Sequence, residues 1–125
     1  MQPELWYKEE SYNLIGSCME VHKELGKGFN ENIYGDALEI EFRKIGILYK
    51  REVKFHITYK GEKLSHYYFA DFVIDNKIIL EIKAIECLTN SHIKQTLNYL
   101  AASKMKLGIL VNFGEDSLTY KRVLL

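Results

Sequence analysis

Two almost unbroken apolar runs, "YYFADFVI" (67–74) and "KIILEIKA" (77–84), lie two residues apart in the chain. Runs this rich in branched and aromatic residues read as strands, and their continuous apolar character marks strands buried on both faces. Asp71, Glu81 and Lys83 interrupt them, at positions where a core strand favours valine. Asp75 and Asn76 supply the turn between them.

Side chains alternate across a strand, so Glu81 and Lys83 share a face. Asp71 opposes Glu81 only if the turn has three residues, Asp75-Asn76-Lys77; a two-residue turn would set Asp71 against Leu80. Asparagine accepts positive φ, which permits the odd count. In that register Ala70, Phe72, Ile74, Ile78, Leu80 and Ile82 form a wholly apolar face. Asp71, Glu81 and Lys83 then share the other face with Phe69, Val73 and Ile79. Two carboxylates so placed repel each other unless a cation lies between them. Hard divalent ions such as Mg²⁺ take such oxygen ligands, and a nearby lysine can orient or activate a water. A plainer reading also fits the hairpin alone: Lys83 pairs with a carboxylate on a solvated sheet face.

Around the hairpin, periodicity predicts a helix from about Trp6 to Leu25, with a stripe of Ile15, Cys18, Met19, His22 and Leu25. "GKG" (26–28) ends it, because glycine takes the left-handed cap. A second helix is expected from about Asn30 to Lys44, lined by Ile33, Ala37 and Ile40, with Tyr34, Leu38 and Phe42 adjoining, and Gly46 stops it. "YKREVKFHITYK" (49–60) alternates as a strand, with Val53, Phe55 and Ile57 on one face, and "KGEK" (60–63) is a turn. A third helix is expected over 91–103, with a stripe of Ile93, Leu97, Leu100 and Ala101; then come a buried strand over 107–113 and an edge strand over 117–125. The order α-α-β-β-β-α-β-β is an α/β (α+β) arrangement, a mixed central sheet flanked by helices. One domain over residues 1–125 suits this length.

Lys+Arg and Asp+Glu balance at 17 each, so contact with nucleic acid must come from a local patch or be assisted by metal. Lys50, Arg51, Lys54, Lys60 and Lys63 cluster around the second strand and either track phosphates or form a solvated face. Cys18 and Cys87 stand alone, without zinc spacing, as expected of reduced thiols in a cytoplasmic protein. "MQPELWYKEE" is not a secretion signal, and no apolar run approaches the ~20 residues that cross a bilayer. Walker loop, nucleophile elbow and dinucleotide fingerprint are all absent from the sequence. The last strand could pair with a second copy through an open edge.

Gln95 and Tyr99 are four residues apart and share a helix face, where they could contact a phosphate or form a solvated edge. Glu31 and Tyr34 likewise share a face, and Glu31 in a first turn also suits the helix dipole. His22 lies on an apolar stripe and is either a hydrogen-bonded core residue or a ligand. Gly28, Glu31 and Tyr34 spell G-x-x-E-x-x-Y. With "VHKELGKGF", "ADF", "LEIKA" and "LVNFG", the chain over about 12–125 resembles the GxxExxY proteins of the PD-(D/E)xK nuclease superfamily. Gln95-x-x-x-Tyr99 is similar to the extra motif of the RecB-like branch. Ala70 stands where the superfamily's loosely kept proline would be.

The resemblance implies a restriction-endonuclease-like core and a Mg²⁺- or Mn²⁺-dependent hydrolase cutting DNA, with RNA as the other substrate. Asp71 and Glu81 would bind the metal with the backbone carbonyl of Ile82, and Glu31 and His22 are further candidate ligands. Lys83 would position the attacking water or stabilise the phosphorane charge. His22, Tyr34, Gln95 and Tyr99 would support the site or the substrate. A second reading keeps the fold but not the chemistry: a silent module that binds nucleic acid or a protein partner.

Overall fold

The computed structural model describes residues 6–125. Residues 1–5, part of the stretch read as lacking a secretion signal, lie outside the described residues. Helices α1 (Lys8–Leu25) and α2 (Glu31–Ile45) come first, followed by β1 (Tyr49–Tyr59), β2 (Glu62–Ile74) and β3 (Ile78–Lys83). Helix α3 (Asn90–Ser103), β4 (Leu107–Asn112) and β5 (Thr119–Leu124) complete the chain. The five strands form one sheet in the order β1-β2-β3-β4-β5. Every neighbouring pair is antiparallel except β3 and β4. A parallel pair needs a crossover, and α3 supplies it. This is the α/β mixed sheet expected from the order of elements, and it fits the restriction-endonuclease-like core that the resemblance implies. No helix among the described residues is long and apolar enough to cross a membrane.

Alternation along β2, β3 and β4 feeds two cores. Phe72, Ile74, Ile78, Leu80, Ile82, Leu107, Ile109 and Val111 pack with Leu14, Cys18 and Val21 of α1 and Tyr34, Leu38 and Phe42 of α2. Val73, Ile79, Leu110 and Val123 pack with Tyr99 and Leu100 of α3. The helix stripes are rotated from their expected positions. Met19, Ile33, Ile40 and Ala101 are exposed, whereas Leu14 and Val21 are buried. An apolar helical row can be continued on either side, and only the position of the sheet chooses which side is covered. β2 also begins five residues earlier than the apolar run suggests, at Glu62. Its first residues are polar and are held by pairing with β1 rather than by burial.

The β2–β3 turn has three residues. Ile74 opposes Ile78, Val73 opposes Ile79 and Phe72 opposes Leu80, with Asp75 and Asn76 both at φ 54°. The register is the odd one that brings Asp71 toward Glu81.

One expectation about faces fails. Tyr49 and Phe72 pack on the core of α1 and α2, but Val53 and Ala70, of the same parity, pack on that of α3. The hairpin of β1 and β2 rolls over between these pairs. Glu52 lies at the turning point with φ 54°, in the place opposite Asp71 where the ladder skips from Arg51–Phe72 to Val53–Ala70. Left-handed backbone in mid-strand inserts local twist, which breaks the alternation that assigned Ala70 and Phe72 to one face.

Tyr34 shapes the link between α1 and α2. Its ring stacks on Phe113 at 4.4 Å, its hydroxyl donates to the Gly26 carbonyl at 2.6 Å, and it accepts from the Phe29 amide at 3.3 Å. These bonds hold the loop that delivers Glu31 to the first turn of α2, after the Asn30 cap. Tyr34→Phe keeps the ring and deletes both bonds. It should lower stability by about 1–3 kcal/mol, measured by urea unfolding; an unchanged midpoint would show that the loop needs no such tie.

Candidate metal centre

At Asp71 and Glu81 the paired strands are joined by side chains. The Asp71 amide donates to Glu81 Oε2 at 2.8 Å, and the Ile82 amide donates to Asp71 Oδ2 at 2.7 Å. Each carboxylate thus spends one oxygen on a backbone amide and is oriented by it. The second oxygen of each takes no protein hydrogen bond among the described residues. Glu81 is 4% exposed, and Asp71 is half-buried.

Burial and the neighbouring Asp71 charge push the Glu81 pKa up to about 9. Burial, opposed by the Ile82 amide and reinforced by the charges of Glu31 and Glu52, raises that of Asp71. Two acids held against their preference for water form a site that favours positive charge. That donor set fits a hard divalent cation, which would take the two free oxygens and relieve the repulsion.

Lys83 follows on β3, and its Nζ donates to Gln95 Oε1 of α3 at 3.1 Å. The charge of Lys83 draws both carboxylate pKa values down, against the burial that raises them. Tyr99, one turn after Gln95, is buried and stands edge-on to Tyr68 at 5.1 Å. Burial, then the charges of Glu81 and Asp71, push its hydroxyl up to about 12, so it stays a neutral donor. Glu31 is exposed, and its charge is felt at Asp71, Glu81 and Tyr99. The structure therefore gathers Asp71, Glu81, Lys83, Gln95 and Tyr99, with Glu31 at the rim.

His22 and Tyr34 are engaged elsewhere. His22 Nε2 lies 2.9 Å from the Glu115 carbonyl, which can only accept, so that nitrogen carries the proton. Tyr34 is wholly buried and committed to Gly26 and Phe29. No group of three His, Cys, Asp or Glu side chains stands at metal-holding distance among the described residues. Glu31 therefore does not complete a three-residue group with Asp71 and Glu81.

Two contributors were not legible in the sequence. Glu52 looks like one more solvated charge in "YKREVKF", and nothing in its period marks the left-handed bend that turns it toward Asp71. Asn112 is buried at the end of β4. Its amide oxygen accepts from the Ile85 and Gly114 amides at 3.0 Å each, and its nitrogen donates to the Ile85 carbonyl at 3.0 Å and to Glu115 Oε2 at 2.8 Å. These bonds pin the chain just beyond Lys83. Gly114 lies so close to Ile85 that a Cβ there would strike its backbone. A polar residue inside the apolar run "LGILVNF" was the available signal for Asn112.

A cavity of about 1040 Å³ is lined by α1, the second half of α2 and β5, and neither Asp71 nor Glu81 lines it. Two smaller surface hollows flank the start of α2, one beside Glu31 and Ala84 and the other beside Arg51 and Glu52. Glu31 and Glu52, whose charges act on Asp71, thus line hollows at the start of α2.

Over residues 8–123 the chain matches the family model of the PD-(D/E)XK nuclease superfamily, and it belongs to that superfamily. PD-(D/E)XK nucleases are generally dependent on divalent metal. Among solved structures, the crystal structure of SSO0001 is similar, with 23% identity and a TM-score of 0.59. The match covers 74% of this chain and 48% of SSO0001, so this chain spans about half the length of that protein. At that identity the likeness shows the shared fold. No curated protein matches the chain.

Proposed function

We propose that residues 1–125 form one nuclease domain that hydrolyses phosphodiester bonds of DNA, using Mg²⁺ or Mn²⁺ held by Asp71 and Glu81. The observation that carries this reading is the buried carboxylate pair, each member oriented by a backbone amide, with Lys83 braced beside it by Gln95. When bound, the cation supplies Lewis-acid stabilisation of charge on the scissile phosphate. Asp71 and Glu81 hold it through their free oxygens, and the Ile82 carbonyl is the expected third protein ligand. Lys83 carries a positive charge on the same strand and can orient the attacking water or neutralise oxygen charge as phosphorus becomes five-coordinate. Hydrolysis then forms one P–O bond to water and breaks the P–O bond to the leaving nucleoside oxygen, which takes up a proton. Gln95 positions Lys83, while Glu31 and Glu52 add negative charge at the rim and deepen the demand for a cation.

Cleavage of single- and double-stranded DNA with Mg²⁺ or Mn²⁺ tests the reading. Activity that requires the metal and disappears in Asp71→Asn and Lys83→Ala supports it. Activity unchanged in both variants would belong to a contaminant, and a protein that never cleaves and binds no Mn²⁺ by calorimetry would be a silent module.

A further inference from the structure

Beyond Asp71, the β1–β2 hairpin turns two aromatic rings outward. Tyr67 and Phe69 are 47% and 50% exposed and meet edge to face at 5.6 Å. Tyr68, between them, packs instead into the core of α3. In the ladder Phe69 opposes Lys54 and Tyr67 opposes His56. The four side chains therefore share one face of the hairpin.

Lys54 stands over the Tyr67 ring at 4.0 Å and over Phe69 at 5.9 Å, and it forms no ion pair among the described residues. His56 lies 6.0 Å from Tyr67. Desolvation, then the charges of Lys63 and Lys54, lower the His56 pKa. Successive rings on one strand face are about 7 Å apart, and Phe69 is two residues from Asp71. Two aromatic faces and a lysine without an ion pair among the described residues thus form one patch, on the face of the hairpin turned away from Tyr68, Ala70 and the core of α3.

This chemistry matches unpaired nucleotides. An aromatic face stacks on an exposed base of any sequence, and ammonium groups follow the phosphates. Bases inside a duplex are already stacked on one another and cannot use the rings. A purely apolar partner would leave the Lys54 and Lys63 charges without a counterpart.

We propose that this patch binds single-stranded nucleic acid, with bases stacking on Tyr67 and Phe69. This binding does not rest on the nuclease reading.

The test is fluorescence anisotropy on the full chain with EDTA present. The probes are a labelled oligothymidylate, an oligouridylate, an abasic strand and a duplex, all of one length. Wild-type protein should prefer the base-bearing single strands to both the abasic strand and the duplex. Loss of each ring, in Tyr67→Ala and Phe69→Ala, should weaken single-strand binding about 5- to 150-fold and leave the abasic strand unaffected. Lys54→Ala should reduce the salt dependence for every strand by about 0.7 in the log–log slope. Tyr67→Phe and Phe69→Tyr keep both rings and should bind as wild type, which separates stacking from folding. The ratio of thymidylate to uridylate affinity separates DNA from RNA.

Equal binding of abasic and base-bearing strands would overturn the proposal, as would ring variants that bind like wild type. So would a concentration-dependent dimer that the ring variants abolish, since a second copy would then occupy the face. Binding through the rings without any Mn²⁺-dependent cleavage would uphold this inference and sink the nuclease reading alone.

Discussion

Glu81→Gln is expected to abolish cleavage and stabilise the metal-free protein at the same time. The glutamine carbonyl can still accept the Asp71 amide, so the local hydrogen bond survives. The negative charge that would hold the cation is lost, and cleavage should fall by about 10²–10³-fold or more. The stability change has the opposite sign. In the folded chain Glu81 is buried beside another acid, and its pKa is pushed up to about 9. At neutral pH the wild-type side chain must take up a proton to fold, whereas a neutral amide need not, and the variant should gain on the order of 1–3 kcal/mol. Cleavage assays and urea unfolding in EDTA read the two effects. A variant that is both inactive and less stable would mean that Glu81 holds the hairpin together rather than a metal.

Saturating Mn²⁺ or Mg²⁺ should raise the melting temperature of the wild-type chain by on the order of 10 °C. At a hundred times the dissociation constant, linkage contributes about 2.7 kcal/mol, and at this chain length each kcal/mol moves the midpoint by roughly 3–5 °C. Asp71→Asn and Glu81→Gln should lose most of the shift, and Glu31→Gln should keep most of it, because Glu31 is exposed and forms no three-residue group with them.

The pH dependence in EDTA has a definite sign. Folding raises the Glu81 pKa from the ordinary 4.5 to about 9, so the folded chain keeps a proton that the unfolded chain releases. Stability from this group is therefore fully present below pH about 4.5 and is lost as pH climbs toward about 9. Metal should cancel the decline, since it favours the ionised form that high pH produces. Differential scanning fluorimetry across that range, with and without metal, checks both statements. A metal-free melting temperature that rises steadily over the same range would show that Glu81 is ionised without a cation.

Much of this was legible in the residue order. The run from Ala70 to Ala84 contains its own geometry, because alternation and an odd turn bring Asp71 to Glu81 without reference to the rest of the chain. Gln95 and Tyr99 were readable as one helical face, and Lys83 does meet Gln95. Glu52 was not readable, because its approach to Asp71 depends on a left-handed residue in the middle of a strand. Tyr34 was read beside the site and instead ties down a loop, since its ring found Phe113 from a distant strand end.

The sequence alone determined which segments are helices and strands and their order along the chain, and it narrowed the register of the central hairpin to two turn lengths, because hydrophobic period and turn residues are local properties. Tertiary structure decided which helix stripe is covered, where the β1–β2 hairpin rolls over, and how strongly Glu81 resists ionisation. Those depend on burial and on charges brought together from segments far apart in the chain, and no local pattern records them.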